Sequence, residues 1–407
     1  MVSIQAPFRL DLRSLAVFRI GLAISFIVLA CIDDAPGLVE TAGLWQRWDS
    51  LFVISETLEK FGQYLLTPLL SLVGIVLLVG YRAKVVLSIG LFLSGLAYFL
   101  NVGSFPELEP LFLPIVFWSW FLPLGANFSF DSAMNTAIPK TFEIVSSATI
   151  ALALQQCFNY WMPNSSFLAF GTESTSIHSL LLLIFLLAAL TLLMPLQSAT
   201  LRAVLINGFV LLHLLAWLFW GQPIQVAWLA ISIWLAFLPT IVWEFLEKRL
   251  QTSQREGLVV YYDADCGFCK KVVHVLRAFL ILPGTPLLTA QSDDSICADM
   301  EAYNSWVVVD WQQRRHFKFE AIAYICSLSP IFRILVPLLR WSPVMSVGTR
   351  FYEMIAKNRK QAGLFTRPLK FNAYSTRLST TENFMVAVLA TIYFLIITAK
   401  IVSYLAL

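Results

Sequence analysis

Long apolar runs, broken by short polar stretches, occupy most of the first 243 residues of the chain. Runs that approach the ~20 residues needed to cross a bilayer as a helix predict membrane spans. The predicted spans are Ser14–Ile32, Tyr64–Gly80, Val85–Val102, Leu111–Leu124, Phe142–Met162, Ile177–Pro195, Leu201–Trp220, Ile224–Trp243 and Phe384–Leu405. Leu111–Leu124 is short and lies next to prolines, so a broken or re-entrant helix is an alternative there. The pattern predicts a polytopic α-helical membrane protein with about nine transmembrane helices.

Between residues 244 and 371 the pattern changes to that of a soluble domain, with charged residues at regular intervals. Leu258–Tyr262 is a short run of apolar, β-branched and aromatic residues, which predicts a buried strand. A polar turn follows, and then apolar residues recur at helical spacing from Val272 to Leu280. Further strands are predicted at Trp306–Asp310 and Arg314–Lys318. The chain therefore carries an α/β domain inserted before its last predicted span.

Two cysteines, Cys266 and Cys269, fall where this helix begins. The positive end of a helix and its free amides stabilise a thiolate, and such sites lower a cysteine pKa from ~8.5 to ~3.5–7.5. Lys270 and Lys271 would act in the same direction, whereas Asp263 and the neighbouring Asp265 would oppose them.

Four interpretations of this CxxC motif compete. The strand before it and the helix after it favour a dithiol redox site. A zinc site would need further ligands from Cys297, Cys326, His274 and His316, none of which forms a second CxxC or an HxxxH pair. A structural disulfide and a retained motif without turnover are the other two alternatives. No metal is predicted.

Several motifs in this region resemble the DCC family of thioredoxin-like proteins. They are YYDADCGFC around the cysteines, TAQS at Thr289–Ser292, WVVVD at Trp306–Asp310 and MIAKNRKQAGLF at Met354–Phe365. The resemblance covers residues 257–366 and implies a thioredoxin-like fold. It also implies catalytic roles for Cys266 as nucleophile, Cys269 as resolving thiol and Asp265 as their constant neighbour. No proline immediately precedes Trp306, so the cis-proline of ordinary thioredoxins has no counterpart at that position.

The membrane part carries a second resemblance. The blocks LAVFRIGL at Leu15–Leu22, GYRAK at Gly80–Lys84 and FLPLGANFSFD at Phe121–Asp131 are similar to the HTTM family, the membrane domain shared with vitamin K-dependent γ-carboxylases. This resemblance implies an HTTM-like domain over residues 1–245, and a quinone as a lipid-soluble partner. The carboxylase base is a lysine in a later helix, however, and no lysine occurs between Thr141 and Glu247. Carboxylase chemistry is therefore the least favoured function.

Composition agrees with a membrane location. The 407 residues are 58% hydrophobic and 13% charged, which is too apolar for an ordinary soluble protein. The net charge of +3 gives no indication of nucleic-acid binding. With the N-terminus inside, most of the lysines and arginines that flank the spans fall on the inner side: Arg9, Arg13, Arg82, Lys84, Lys140, Arg202, Lys248 and Arg249.

This charge distribution predicts the topology. The N-terminus and the CxxC domain (257–366) are expected in the cytoplasm, and the last span (384–405) carries the C-terminus to the opposite side. The membrane is expected to be a bacterial inner membrane or an intracellular membrane.

Polar residues inside the predicted spans are functional candidates because they are costly there. Arg19 could snorkel to the headgroups, or serve as a buried structural or anion-binding group. His213 and Asn207 share one span, and Gln155, Gln156, Asn159 and Tyr160 form a stripe around Cys157 on another. Hydrogen bonding between helices explains these polar groups as well as a ligand pocket does.

The preferred function is a membrane-bound thiol–disulfide oxidoreductase whose partners are the lipid bilayer and a redox partner protein or a quinone. The alternative is a non-catalytic subunit or assembly factor of a larger membrane complex. A carboxylase-like modifying enzyme ranks last. The basic amphipathic stretch from Ile331 to Lys360 is expected either on the anionic membrane surface or as a solvated face packed on the domain.

Overall fold

The computed structural model describes residues 6–31, 56–99, 105–137, 141–161, 183–184, 187–193 and 198–405. The chain forms two compact units. Unit 1 comprises Met1–Asn127, Pro139–Trp243 and Ser375–Leu407, and unit 2 comprises Phe128–Ile138 and Glu244–Tyr374.

The described residues are mostly helical. In chain order the helices are α1 (Leu12–Cys31), α2 (Glu56–Val79), α3 (Ala83–Phe99), α4 (Phe105–Trp120), α5 (Phe130–Ala133), α6 (Ser147–Trp161), α7 (Ala199–Trp220), α8 (Ile224–Ala236), α9 (Thr240–Leu250), α10 (Ser253–Glu256), α11 (Gly267–Phe279), α12 (Asp294–Tyr303), α13 (Lys318–Leu328), α14 (Val336–Leu339), α15 (Ser342–Lys357), α16 (Arg359–Phe365) and α17 (Thr380–Leu405). The strands are β1 (Leu10–Asp11), β2 (Glu143–Ile144), β3 (Val259–Tyr262), β4 (Leu287–Thr289), β5 (Val307–Val309) and β6 (Arg315–Phe317).

Helix α1 is the centre of unit 1 and packs against α2 and α8. Several of its apolar side chains, among them Phe18 and Phe26, are fully buried. Gly21 lets α8 approach closely, because a Cβ at this position would lie 2.3 Å from the Ser232 hydroxyl oxygen. The Trp228 Nε1–H donates to the Gly21 carbonyl at 3.0 Å. Small residues at a helix crossing serve the same purpose in membrane helix bundles.

The described residues do not support nine spans. Three helices are long and apolar enough to cross a membrane: Leu12–Ala30, Ala199–Phe219 and Thr380–Ala399. Shorter apolar helices cover Tyr64–Val79, Ala83–Phe99 and Leu111–Trp120. Most of the predicted span Ile177–Pro195 lies outside the described residues.

One predicted span is broken. Ile224–Trp243 was predicted as a single helix, but α8 and α9 meet at an angle of 84° and count as one span only if this bent pair crosses the membrane together. Pro239 lies in the break, where it restricts Leu238 and cannot donate a backbone hydrogen bond. The apolar run gave no sign of this bend because hydropathy does not report backbone direction.

Unit 2 contains a four-stranded sheet in the order β4-β3-β5-β6. Strand β3 pairs in parallel with β4 and antiparallel with β5, and β6 pairs antiparallel with β5. The strands predicted at Leu258–Tyr262, Trp306–Asp310 and Arg314–Lys318 correspond to β3, β5 and β6. A parallel β3–β4 pair requires a crossover, and α11 supplies it.

Side chains alternate between two faces of this sheet. Leu258, Val260 and Val308 belong to one apolar cluster, which also takes in residues of α11 and α13. Val307 and Val309 belong to a second cluster together with α12 residues such as Met300. Helices therefore cover both faces, and all three residues of β5 are buried.

Unit 2 also includes a segment that the sequence assigned to the membrane part. This segment is Phe128–Ile138, and its Phe130 ring packs against the Phe279 ring at the end of α11, with the ring centres 5.2 Å apart. The Asn372 N–H donates to the Met134 carbonyl at 3.1 Å, and the Tyr374 N–H donates to the Asn135 side chain at 2.9 Å. The predicted boundaries of 257–366 therefore describe a smaller piece than the compact unit.

Leu258 is fully buried in the sheet core, whereas Leu288 of β4 is 43% exposed. We expect Leu258→Ala to lower the opening free energy of the β3 and β5 amides by about 2–5 kcal/mol, because it leaves a cavity in a packed core. Hydrogen exchange of the full-length chain measures this change, with Leu288→Ala as the matched control. Equal effects of the two substitutions would contradict the assigned core.

Candidate functional site: the dithiol at the start of α11

The two cysteines lie where the chain passes from the central strand into a helix. Strand β3 ends at Tyr262, a turn follows, and Cys266 is the N-cap residue of α11. Cys269 is in the first turn of this helix. The two side chains form a disulfide, with a Cα–Cα distance of 5.2 Å.

The surroundings of Cys266 favour a thiolate. The Cys269 N–H donates to the Cys266 sulfur at 3.2 Å, as in a helix cap. The positive end of the α11 dipole acts on the same sulfur. Lys270 and Lys271 are engaged elsewhere: the Lys270 ammonium lies 5.1 Å from the Phe371 ring centre, and Lys271 donates to the Thr366 carbonyl at 2.8 Å. The helix start therefore carries the argument for a reactive Cys266.

Asp263 organises the turn before the cysteines. Its carboxylate accepts hydrogen bonds from the Asp265 N–H at 3.1 Å and from the Gln291 side-chain amide at 2.9 Å. The other end of the Gln291 amide accepts from the Ala264 N–H at 3.1 Å. Asp265 itself is exposed. The side chains that position the turn before the cysteines are therefore those of Asp263 and Gln291.

Arg359, at the start of α16, joins this turn to a distant part of the fold. It forms an ion pair with Asp263 at 3.7 Å and donates to the Asn304 side chain at 2.8 Å. Asn304 ends α12 in the left-handed region, with a φ of 48°, a conformation that asparagine tolerates better than most residues. Three motifs that are far apart in sequence, around Cys266, Gln291 and Arg359, therefore meet at one turn.

A mostly apolar cavity of about 200 Å³ opens beside Cys269. Apolar side chains from four helices line it: Phe268, Val272 and Leu276 of α11, Met300 of α12, Ile322 of α13 and Ile355 of α15. Asp263 and Arg359 form its polar edge, and Trp306, Tyr352 and Ala356 complete the wall. Cys269, but not Cys266, contributes to the lining.

Comparison with known families bears on the same region. A family described as DCC1-like thiol-disulfide oxidoreductase matches residues 260–364. The chain carries a DCC1-like domain. No curated protein and no solved structure matches the chain. The matched range contains both cysteines, Gln291 and Arg359, and this family indicates thiol–disulfide redox function.

The other cysteines and histidines of the DCC1-like domain are not gathered around a metal. Among the described residues no group of three or more His, Cys, Asp or Glu could hold a metal ion. Burial raises the pKa of the Cys326 thiol. Burial, together with the nearby Arg277 and Lys270, lowers the pKa of His274 to about 4, so His274 is neutral at pH 7. His316 lies between Glu320 at 2.9 Å and Asp310 at 3.3 Å.

In unit 1 the structure connects polar residues that the sequence flagged separately. The Tyr160 hydroxyl lies 2.7 Å from His213 Nε2, and the Trp234 indole N–H donates to the same hydroxyl at 2.5 Å. Gln155 donates to Asn159 at 2.8 Å, and Asn159 donates to Gln156 at 3.2 Å. These contacts combine bonds within α6 with bonds from α6 to α7 and α8.

Arg19 and Asn207 have structural partners. Arg19 is fully buried and donates to the backbone carbonyls of Asn127 at 3.0 Å and Leu124 at 3.2 Å. The Asn207 side chain donates to the Ala203 carbonyl on its own helix at 2.8 Å. Arg19 therefore does not snorkel; it joins α1 to the loop that follows α4.

Sequence reasoning missed the roles of Asp263, Asn304 and Arg359 in the DCC1-like domain. The Ala-Lys-Asn-Arg run was recognised as part of a family motif, but nothing in the linear sequence assigned Arg359 to Asp263. It also missed that Trp306, which belongs to a predicted strand, and Tyr352 line the cavity. Their apolar surroundings carry no signal that distinguishes a cavity wall from a packed core.

We expect Gln291→Leu to loosen the turn before the cysteines, because it removes both hydrogen bonds of the Gln291 amide. The loss should be about 1–3 kcal/mol in the opening free energy of the Ala264 amide. Hydrogen exchange at this amide measures it. Gln312→Leu, an exposed glutamine of the same domain, serves as the control and should leave this exchange unchanged.

Proposed function

We propose that this protein is a membrane-bound thiol–disulfide oxidoreductase that works through Cys266 and Cys269. The observation that carries the proposal is the cysteine pair itself, joined as a disulfide at the start of α11 with a backbone N–H on the Cys266 sulfur. The DCC1-like family of residues 260–364 supports the same chemistry. Asp265 is assigned to the site as the residue directly before Cys266, and Asp263 fixes the turn before the cysteines through its hydrogen bonds.

The proposed reaction is a two-electron exchange. The Cys266 thiolate of the reduced protein attacks one sulfur of a partner's disulfide, and the other partner sulfur leaves as a thiolate. The Cys269 thiolate then attacks the Cys266 sulfur and releases the second partner thiolate. The partner has gained two electrons, and the protein is left with the Cys266–Cys269 disulfide. A donor thiol must then reopen this disulfide.

The proposed mechanism predicts that the two cysteines react with alkylating reagents at different rates. In the reduced protein we expect Cys266 to alkylate at least about tenfold faster than Cys269 near pH 6, because the helix start lowers its pKa. Cys266→Ser should abolish this rapid alkylation, and Cys269→Ser should accumulate mixed disulfides. Mass spectrometry of the alkylated peptides measures both effects.

An oxidoreductase must also alternate between the Cys266–Cys269 disulfide and the reduced dithiol. We expect its reduction potential to lie within the cytosolic range, roughly −220 to −320 mV. The double variant Cys266→Ala/Cys269→Ala should then lose function in cells. If this variant is fully functional while deletion of the chain disrupts a membrane complex, the protein is a non-catalytic subunit or assembly factor instead.

The membrane part of the proposal is supported by the three candidate spans and by the surface of unit 2. Helix α15 packs on α13, so closely that a Cβ on Gly348 would meet the Phe319 ring at 2.5 Å. On another side of α15, Val347, Phe351 and Met354 are exposed at helical spacing. The flanking residues Ile334, Trp341 and Phe365 are exposed as well. We call these six residues the exposed apolar face.

The stretch of chain that carries the exposed apolar face is almost entirely positive in charge. Between Ile331 and Arg367 the only acidic residue is Glu353, and Lys318 donates to it at 2.6 Å. The basic residues of this stretch are Arg333, Arg340, Arg350, Lys357, Arg359, Lys360 and Arg367. Apolar side chains with such a basic border bind anionic lipid surfaces. We assign this face to the membrane surface, on the cytoplasmic side that the charge distribution predicts.

A spin label at Val347→Cys tests this assignment in the full-length chain, in a Cys31→Ser/Cys297→Ser background with the Cys266–Cys269 disulfide closed. In anionic nanodiscs we expect the label to be accessible to oxygen and protected from a water-soluble nickel reagent. A label at the exposed Glu301→Cys is the matched control and should remain open to the nickel reagent. Equal nickel accessibility at both positions would contradict a membrane-facing surface.

We further propose a lipid-soluble redox partner such as a quinone for unit 1, which is assigned to the HTTM-like arrangement. The resemblance of the membrane part to quinone-using carboxylases supports this assignment. A buried chain of hydrogen bonds also supports it and runs from Trp234 through Tyr160 to His213 and Gln222. Linked donors and acceptors of this kind can transfer the protons that a quinone takes up when it is reduced.

A further inference from the structure

The cavity beside Cys269 has the size and character of a site for one small apolar group. Its volume is about 200 Å³, and its wall is mostly apolar. An apolar cavity of about 150 Å³ engineered in another protein binds benzene. The cavity here therefore has room for a single ring or a branched aliphatic group, and lies below the usual range of about 300–1,000 Å³ for larger ligands.

Trp306, one of the lining residues, carries a buried polar atom. Trp306 is 7% exposed, and its indole Nε1–H has no hydrogen-bond partner among the described residues. Buried donors are almost always paired, so an acceptor beside this ring, from water or a ligand, would complete its bonding. The Tyr352 hydroxyl, by contrast, has partners. It lies 3.2 Å from the Ser305 hydroxyl and accepts a hydrogen bond from the backbone N–H of Trp306 at 3.3 Å.

The two sulfurs of the disulfide differ in what surrounds them. Cys269 lines the cavity. A thiol whose organic group is bound in the cavity would therefore hold its own sulfur next to Cys269. Cys266 is the N-cap residue, where the Cys269 N–H and the helix dipole stabilise a departing thiolate. A thiolate that is more stable leaves faster in thiol–disulfide exchange. Position and leaving-group stability thus select the same direction of attack.

We propose that the cavity binds the organic group of a small apolar thiol, and that this thiol reduces the protein's disulfide by attacking Cys269. The inference rests on the proposed function, because it supplies the electron donor for the same cysteine pair. The substrate class is a low-molecular-weight thiol with a ring or branched aliphatic group close to its sulfur.

The donor thiolate forms a bond with the Cys269 sulfur, the Cys266–Cys269 bond breaks, and Cys266 leaves as a thiolate. A second donor thiolate attacks the donor sulfur of this mixed disulfide and releases the Cys269 thiolate. Two donor thiols are oxidised to one disulfide, and the protein gains two electrons and two protons as the Cys266/Cys269 dithiol.

The experiment compares benzyl mercaptan with 2-mercaptoethanol as reductants of the full-length protein in one detergent. We expect benzyl mercaptan to be faster, and Ala356→Leu, which fills the cavity, to reduce this preference about 10- to 100-fold. Comparing variants in the same detergent cancels the partition of the thiol into micelles. Ser346→Leu is an exposed position on the same helix and should keep the wild-type preference.

Two further measurements keep the proposal testable if Ala356→Leu does not fold. Ile355→Ala widens the cavity and should shift the preference towards naphthalenemethanethiol. Acid quenching followed by mass spectrometry should place the first benzylthio adduct on Cys269. An adduct on Cys266, or an unchanged preference in every variant, would overturn the proposal while leaving the redox function intact. If neither thiol reduces the disulfide, this proposal is overturned as well, and the cellular test of Cys266→Ala/Cys269→Ala decides the proposed function separately.

Discussion

The carboxylate of Asp263 is the contact on which the arrangement of the dithiol depends. It accepts from Gln291 and from the Asp265 N–H, and it pairs with Arg359. Without these three contacts the chain between β3 and α11 would lose its fixed path, and the helix start would no longer be aimed at the Cys266 sulfur. One acidic residue thus couples the cysteines to two other parts of the DCC1-like domain.

The local structure around the cysteines could be predicted from the sequence. An apolar run followed by a polar turn and a helical repeat specifies β3 and α11, and a cysteine at the junction becomes the N-cap residue. Such features depend on neighbours in the chain. The contact between Arg359 and Asp263, the bonding of Asn304 and the cavity beside Cys269 depend on residues far apart in sequence, and one sequence holds no signal for their pairing.

The membrane part shows where hydropathy stops being informative. Apolar runs predicted helices well, but they did not predict the 84° bend between α8 and α9, which depends on Pro239 and its neighbours. They also did not decide the role of Arg19. Its guanidinium lies fully buried and donates to the Leu124 and Asn127 carbonyls in the loop after α4. It also donates to the Leu78 carbonyl in the last turn of α2, where a helix end leaves acceptors unpaired.

Unit 2 is assembled from two pieces of chain that are separated by residues 139–243. The short piece covers Phe279 and exchanges backbone and side-chain hydrogen bonds with the stretch from Asn372 to Tyr374. The consequence concerns how the domain can be moved or inherited. A contiguous fragment with the limits of the family match would leave this contact surface bare, and substitutions between Phe128 and Asn135, in a region that reads as membrane protein, would alter the stability of the redox domain.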